Sequence, residues 1–326
     1  MTEPASYLTI KNLSVRFDLR SGPFFRKRSF FAIKDISLNI RKHDVFCLIG
    51  ESGSGKSTLM WTLLGMHRFF KGEINYKGGR VERFGDSYHR RLISDAQMVF
   101  QDPVASLNPH LTLGRSIEEP MRAKKISRKT AQAAVAGLAE KTGLPADILK
   151  RKPTEASIGQ NQRACIARAL SVKPEILFLD EPLTALDPIV QTRVKKLLMD
   201  MKDAFGLTYF LVTHDLGFAK KIGTAVAVMY LGRIVEQAPA ADFFSNPRHP
   251  YSQALLSGSL SPFVWQKERI ILEGEIPSPH EPPKGCVFHP RCRNRMPVCD
   301  QIKPACRKPG KDHLVYCHMQ LPDVRN

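Results

Sequence analysis

The sequence predicts an α/β protein built on a mostly parallel sheet, with a helical insertion and a small cysteine-rich C-terminal domain. Three observations predict it. Val45–Ile49 is an unbroken apolar run that ends in a glycine-rich turn and a helical pattern. Residues 176–179 form a second apolar run, and it ends in Asp180 and Glu181. Short apolar runs alternate with amphipathic stretches between them and beyond, the rhythm of strand–helix–strand units.

Taken in order, residues 7–10 and 13–17 are short alternating runs and read as two strands, separated from the next by a basic loop over 20–29. Residues 36–40 alternate again, Val45–Ile49 suits a strand buried on both faces, and 57–66 is helical. From 106 to 171 helix formers dominate, with helices expected over 129–142 and 159–172 (the insertion, about 102–172). Strands return at 176–179, 209–212 and 225–231, with a helix over 189–205. From Pro239 proline rises and periodicity fades. Pro277, Pro279, Pro282 and Pro283 mark a linker before the tail. The domain expectation is 1–238 for the main body and 239–326 for the appendage, in keeping with a 326-residue chain of about two domains.

Composition narrows the function. An apolar fraction of 43 % and a charged fraction of 25 % exclude a disordered or collagen-like chain. No run approaches the roughly 18 apolar residues of a membrane span, and residues 1–10 lack a secretory pattern, so a cytoplasmic location is expected. Forty-nine Lys and Arg against 31 Asp and Glu leave +18, which calls for an anionic partner: nucleotide phosphate, lipid headgroup or nucleic acid.

The motifs choose among these. Gly50, Glu51, Ser52, Gly53, Ser54, Gly55, Lys56 and Ser57 match G-x-x-x-x-G-K-[ST] in full, with Thr58 following. Glycines let backbone N–H groups converge on a phosphate, and the helix that follows adds partial positive charge. Lys56 is expected on the β- and γ-phosphates and Ser57 on Mg²⁺. Asp180 would hold Mg²⁺ through water, and Glu181 is the candidate general base for the attacking water.

Between these motifs lies Glu155-Ala156-Ser157-Ile158-Gly159-Gln160, followed by Gln162 through Leu170. This resembles the signature loop and helix of ABC-type ATPases. Val99-Phe100-Gln101-Asp102-Pro103 is similar to their Q-loop, Ala185-Leu186-Asp187 to their D-loop, and Val212-Thr213-His214-Asp215 to their switch histidine. Phe17 falls where the family stacks an aromatic on adenine. The resemblance implies a P-loop ABC nucleotide-binding domain over about residues 7–238. It implies two cassettes packed head to tail, each ATP held between one phosphate loop and the other's signature. Ser157, Gly159 and Gln160 would then reach the partner's γ-phosphate near Asp187. Gln101 would touch the metal and water, and His214 would hold the γ-phosphate or orient Glu181. Ile158 departs from the family's glycine. A β-branched residue there disfavours positive φ and blocks close approach, so an asymmetric heterodimer with one weakened site is expected.

The tail adds a second resemblance. Asn246 through Leu256, Gly274-Glu275-Ile276-Pro277-Ser278-Pro279 and Gly285 through Cys292 are similar to the oligopeptide/dipeptide importer branch, the second of them resembling its "F"-type subunit more than its "D"-type sibling. That branch implies a sibling ATPase, two permeases, an extracytoplasmic peptide-binding protein, and a place on the cytoplasmic side of the inner membrane, whose anionic surface the basic segments would suit. Relatives carrying nickel, opines or antimicrobial peptides share the tail. A soluble ABC ATPase acting on nucleic acid or ribosomes is the competing class; it commonly has a coiled-coil insertion or two cassettes, neither visible here, and no nucleic-acid partner is expected. Five cysteines fall within 32 residues, spaced C-x5-C-x6-C-x6-C-x10-C. Their thiolates suit an iron–sulfur cluster or zinc, or stay unmetallated. The resemblance implies Cys286, Cys292, Cys299 and Cys317 as ligands of a [4Fe–4S] cluster, with Cys306 spare.

Overall fold

The five-residue strand Val45–Ile49 belongs to the larger of two compact units and is buried along its whole length, as its uninterrupted apolar sequence requires. The computed structural model describes residues 7–21, 26–82, 85–259 and 269–319. The larger unit comprises 1–90 and 213–326, and the smaller 91–212. The 239–326 segment, expected as a domain of its own, groups with the larger unit.

In the larger unit, β1 (Leu8–Ser21) and β2 (Arg26–Ile40) form a long antiparallel pair. The two strands expected over 7–10 and 13–17 are one strand. Register shifts between Ile10 and Leu13, and at Val15, interrupt its alternation and make the sequence read as two pieces. The expected basic loop is largely strand as well, since pairing continues to Ser21 and Arg26; residues 22–25 lie outside the described ones. β3 (Val45–Ile49) leads into α1 (Lys56–Leu63). β4 (Lys71–Tyr76) and β5 (Gly79–Val81) complete an antiparallel sheet of order β2-β1-β4-β5.

The chain passes to the smaller unit within α2 (Ser87–Asp95). There β6 (Ala96–Val99) is followed by α3 (Leu113–Ala123), α4 (Arg128–Thr142) and α5 (Ile158–Leu170), which pack on one another. Ser127 caps α4 by accepting the Thr130 N–H, and Gly143 closes it at φ 67°, a conformation glycine reaches without strain. β7 (Ile176–Asp180), α6 (Pro188–Phe205) and β8 (Thr208–Val212) complete the unit. β6, β7 and β8 are parallel, and β7 and β8 are buried along their whole length.

Back in the larger unit come α7 (Leu216–Ile222), β9 (Ala225–Tyr230), β10 (Arg233–Pro239), α8 (Ala240–Ser245) and α9 (Pro250–Ser259). β9 runs parallel to β3, and β10 antiparallel to β9. The tail adds β11 (Cys306–Gly310) and β12 (His313–Tyr316), with β12 antiparallel to β10. The α/β class therefore holds, but the pairing is mixed rather than mostly parallel.

The tail is fastened to the larger unit by a buried carboxylate. Glu236 on β10 has no exposed surface and accepts N–H bonds from Arg248 (2.7 Å) and His249 (2.9 Å). His313 Nε2 on β12 lies 2.8 Å from the same carboxylate. Phe288 packs between Tyr230, Tyr251 and His249 at ring separations of 5.2, 5.2 and 5.6 Å.

His249 is buried and its Nδ1 accepts the Tyr251 N–H at 3.1 Å, so the ring must be neutral at that nitrogen. Burial pulls its pKa down to about 4, outweighing the pull of Glu236 in the other direction. The unfolded chain protonates this group near 6.5, so its contribution is complete above that pH and is lost as pH falls from about 6.5 toward 4. Denaturant unfolding measured between pH 7.5 and 4.5 should show a loss of up to roughly 3 kcal/mol from this residue, and His249→Asn should flatten that part of the slope.

Candidate functional site

The loop between β3 and α1 is held open by close backbone packing. A Cβ on Gly50 would stand 2.2 Å from the Met229 carbonyl oxygen, so no other residue fits. Gly55, the residue before α1, has φ 102° and its Cβ would meet the Ala32 oxygen at 2.8 Å. The Gly232 N–H donates to the Ser54 carbonyl at 2.9 Å, tying the loop to the β9–β10 turn. Lys56 is buried and its Nζ donates to the carbonyls of Gly50 (2.8 Å) and Glu51 (2.9 Å), circled by the loop. Ser54 Oγ is buried without a hydrogen-bond partner in the same loop. No side chain caps the first turn of α1. Ser52 and Gly53 are exposed at the tip, while Ser57 and Thr58 are half-buried. A cradle that admits only glycine, an orphaned hydroxyl and a lysine fit a polyphosphate.

The loop has partners that sequence reasoning missed. Tyr251 on α9 accepts the Glu51 N–H at 2.9 Å, and Arg291 forks onto the Glu51 carboxylate at 2.6 and 3.2 Å. Neither is signalled by spacing, since 200 and 240 positions separate them from the loop. Phe17 is half-buried on β1, with its ring 5.9 Å from Phe30 and 5.1 Å from His67. His280 from the tail lies 4.3 Å from Phe30. His214 is exposed at the start of the larger unit's second segment; its neighbour Thr213 donates its N–H to Leu48 on β3 at 3.3 Å, and Asp215 caps α7.

The smaller unit holds the other predicted residues. Asp180 ends β7 almost fully buried. Glu181 follows in the left-handed region at φ 44°, a strained conformation for a non-glycine residue, with its N–H on the Val212 carbonyl (2.9 Å) and Oε2 accepting from Thr184 Oγ1 (3.0 Å). Gln162, which sequence reasoning passed over, is buried and braces this turn by donating to the Pro182 carbonyl at 2.9 Å. Gln101 is exposed just beyond β6.

Ser157 and Gln160 bond reciprocally at the start of α5, Ser157 Oγ accepting the Gln160 N–H (3.2 Å) and Gln160 Oε1 the Ser157 N–H (2.8 Å). Asp187 caps α6 through the N–H groups of Ile189 and Val190. These three therefore serve as helix caps within their own unit. Gly159 is buried, and a Cβ there would approach Val190 Cγ1 to 2.7 Å. Ile158 is the first residue of α5 with ordinary helical backbone, which corrects the expectation of a positive φ; what remains is a side chain left 48 % exposed.

In the tail, Cys286 and Cys299 are buried, Cys292 and Cys317 half-buried, and Cys306 exposed. The Cys286 N–H donates to the Cys299 carbonyl at 2.8 Å. Burial, with the neighbouring Cys299, Cys317 and Cys292, pushes the Cys286 thiol up to about 11, and Cys292 and Cys317 are raised for the same kinds of reason. These four are thus mutual neighbours, whereas Cys306 interacts with Tyr316 instead. Among the described residues no three His, Cys, Asp or Glu gather tightly enough for a single metal ion.

Comparison with known proteins decides the family. A model described as "ABC transporter" matches residues 33–184, and one described as "Oligopeptide/dipeptide transporter, C-terminal region" matches 235–299. The oligopeptide transport ATP-binding protein AppF of Bacillus subtilis is 38 % identical over 323 residues, 96 % of this chain and 97 % of the relative. The chain belongs to the ABC transporter ATP-binding proteins. The dipeptide transport ATP-binding protein DppF of Escherichia coli is 38 % identical over 94 % of this chain and 92 % of its own length. Among solved structures, the ATP-binding cassette MJ0796, a post-hydrolysis dimer bound to ADP and Pi, superposes with a TM-score of 0.63 at 26 % identity, covering 72 % of this chain and 98 % of that one. As a family member the chain is an ATP hydrolase, for which ATP with Mg²⁺ fits as substrate and cofactor. Among the described residues no helix is long and apolar enough to cross a membrane.

Proposed function

We propose that this ABC ATPase energises a membrane importer of di- and oligopeptides from the cytoplasmic side of the inner membrane. Its partners in this reading are a sibling ATPase, two permeases and an extracytoplasmic peptide-binding protein. The observation that carries the reading is the tail, whose 235–299 stretch matches the peptide-transporter C-terminal region and meets Glu51 of the phosphate loop through Tyr251 and Arg291. Relatives named as oligopeptide and dipeptide transport proteins support the substrate class.

Hydrolysis then draws on the residues picked out by sequence. Phe17 stacks on the adenine, and the loop from Gly50 to Thr58 holds the phosphates, with Lys56 on the β- and γ-groups. Ser57, Gln101 and Asp180 would hold Mg²⁺, which would supply neutralisation of phosphate charge. Glu181 takes the proton of the attacking water and His214 hydrogen-bonds the γ-phosphate. Ser157, Gly159 and Gln160 contact the ATP of the sibling, close to Asp187. ATP closes the pair, hydrolysis reopens it, and the permeases follow. In proteoliposomes holding the full transporter, peptide with its binding protein should stimulate ATP turnover, and Glu181→Gln should keep ATP binding while losing turnover by about 10²-fold or more. Turnover that ignores peptide would remove the substrate assignment.

Ile158 at the head of α5 weakens the composite site that uses this chain's signature, leaving the site on Lys56 and Glu181 as the working one. Ile158→Gly, assayed with the sibling, should raise turnover several-fold; no gain, or strong hydrolysis by this chain alone, would contradict the asymmetry.

The four neighbouring cysteines support a [4Fe–4S] cluster held by Cys286, Cys292, Cys299 and Cys317, a covalent fastening of the tail. Anaerobic purification followed by visible absorbance and iron counting should find about four irons per chain, and Cys306→Ser should leave that number unchanged.

A further inference from the structure

Glu51 is the only acidic residue in the phosphate-binding loop. A carboxylate at that point opposes the loop's task, because it lowers the potential where a polyanion must bind. The structure answers this with a residue from the far end of the chain. Arg291 meets both Glu51 oxygens, at 2.6 and 3.2 Å, in the planar two-bond geometry that favours arginine over lysine. Its side chain is only 7 % exposed and that of Glu51 25 %, so the pair is shielded from the solvent that weakens surface ion pairs.

Arg291 is also held on a short rigid arm. It closes the turn His289–Arg291, its N–H donating to the Phe288 carbonyl at 3.1 Å. Phe288 itself is buried among Tyr230, Tyr251 and His249. Tyr251, from the same aromatic cluster, accepts the Glu51 N–H, so backbone and side chain of Glu51 are gripped together. We propose that Arg291 is a positioning residue for ATP binding: it neutralises Glu51 and holds that carboxylate away from the phosphates, making the nucleotide site dependent on the tail. The proposal rests on ATP binding at this loop.

The test compares full-length chains by MgATP dissociation constant, with KM and kcat taken in the assembled transporter. Arg291→Ala should weaken MgATP binding about tenfold, because it leaves an unpaired carboxylate in the loop, and should raise KM with kcat at saturating ATP little changed. Glu51→Gln combined with Arg291→Ala should recover binding to within about threefold of wild type, since the offending charge is gone. A merely structural arginine would give no such recovery. Arg291→Ala that binds as wild type, or a double variant as weak as the single, overturns the proposal. If Arg291→Ala does not fold, Arg291→Gln alone and in the Glu51→Gln background gives the same comparison. Lys56→Ala separates the two readings: if it binds MgATP as wild type, the assignment of the loop fails whatever Arg291 does.

Discussion

The larger unit is organised by one constraint, the close backbone packing around the loop between β3 and α1. Met229 crowds Gly50, Ala32 crowds Gly55, and Gly232 donates to Ser54, so two segments distant in sequence converge on eight residues. Phosphate binding through backbone N–H groups requires this turn, and the turn leaves no room for a Cβ at Gly50 or Gly55. The strands that bear Ala32 and Met229 must therefore lie directly against the loop backbone. The long β1–β2 pair and the parallel β3–β9 pair do that placing.

A second layer of construction attaches the tail to the same unit. Glu236, buried between β10 and β12, satisfies the backbone of Arg248 and His249 and meets His313. A buried carboxylate is tolerable only with this many partners, and they come from two separate stretches of chain. The aromatic cluster of Tyr230, Tyr251 and Phe288 then sets the turn that carries Arg291. A segment that reads as irregular in sequence is thereby bound to the loop where the nucleotide chemistry is expected.

Much of this was legible beforehand. The helices α4, α5 and α6 begin and end within a residue or two of the expected positions, because periodicity, Ser127, Asp187 and the terminal glycines act locally. β7 and β8 were legible for the same reason, being continuous apolar runs. The readings failed where tertiary pairing overrides local pattern. β1 looks like two strands because register shifts break its alternation, and β2 extends into a basic stretch with loop-like composition. β11 and β12 carry weak patterns of their own and form against β10. The reading of Ile158 failed in its backbone argument: α5 starts there in helical geometry, so only the side chain distinguishes it from glycine.

By itself the sequence determined the phosphate loop, the acidic strand end after β7, the α/β class and the family, since each rests on residues adjacent in the chain. Only the tertiary structure decided that four of five tail cysteines are neighbours and that Glu51 is paired with Arg291. Those facts depend on contacts between residues as many as 240 positions apart, for which no local spacing or periodicity exists. The folded chain, by burying Phe288 and Glu236, brings such residues within hydrogen-bonding distance.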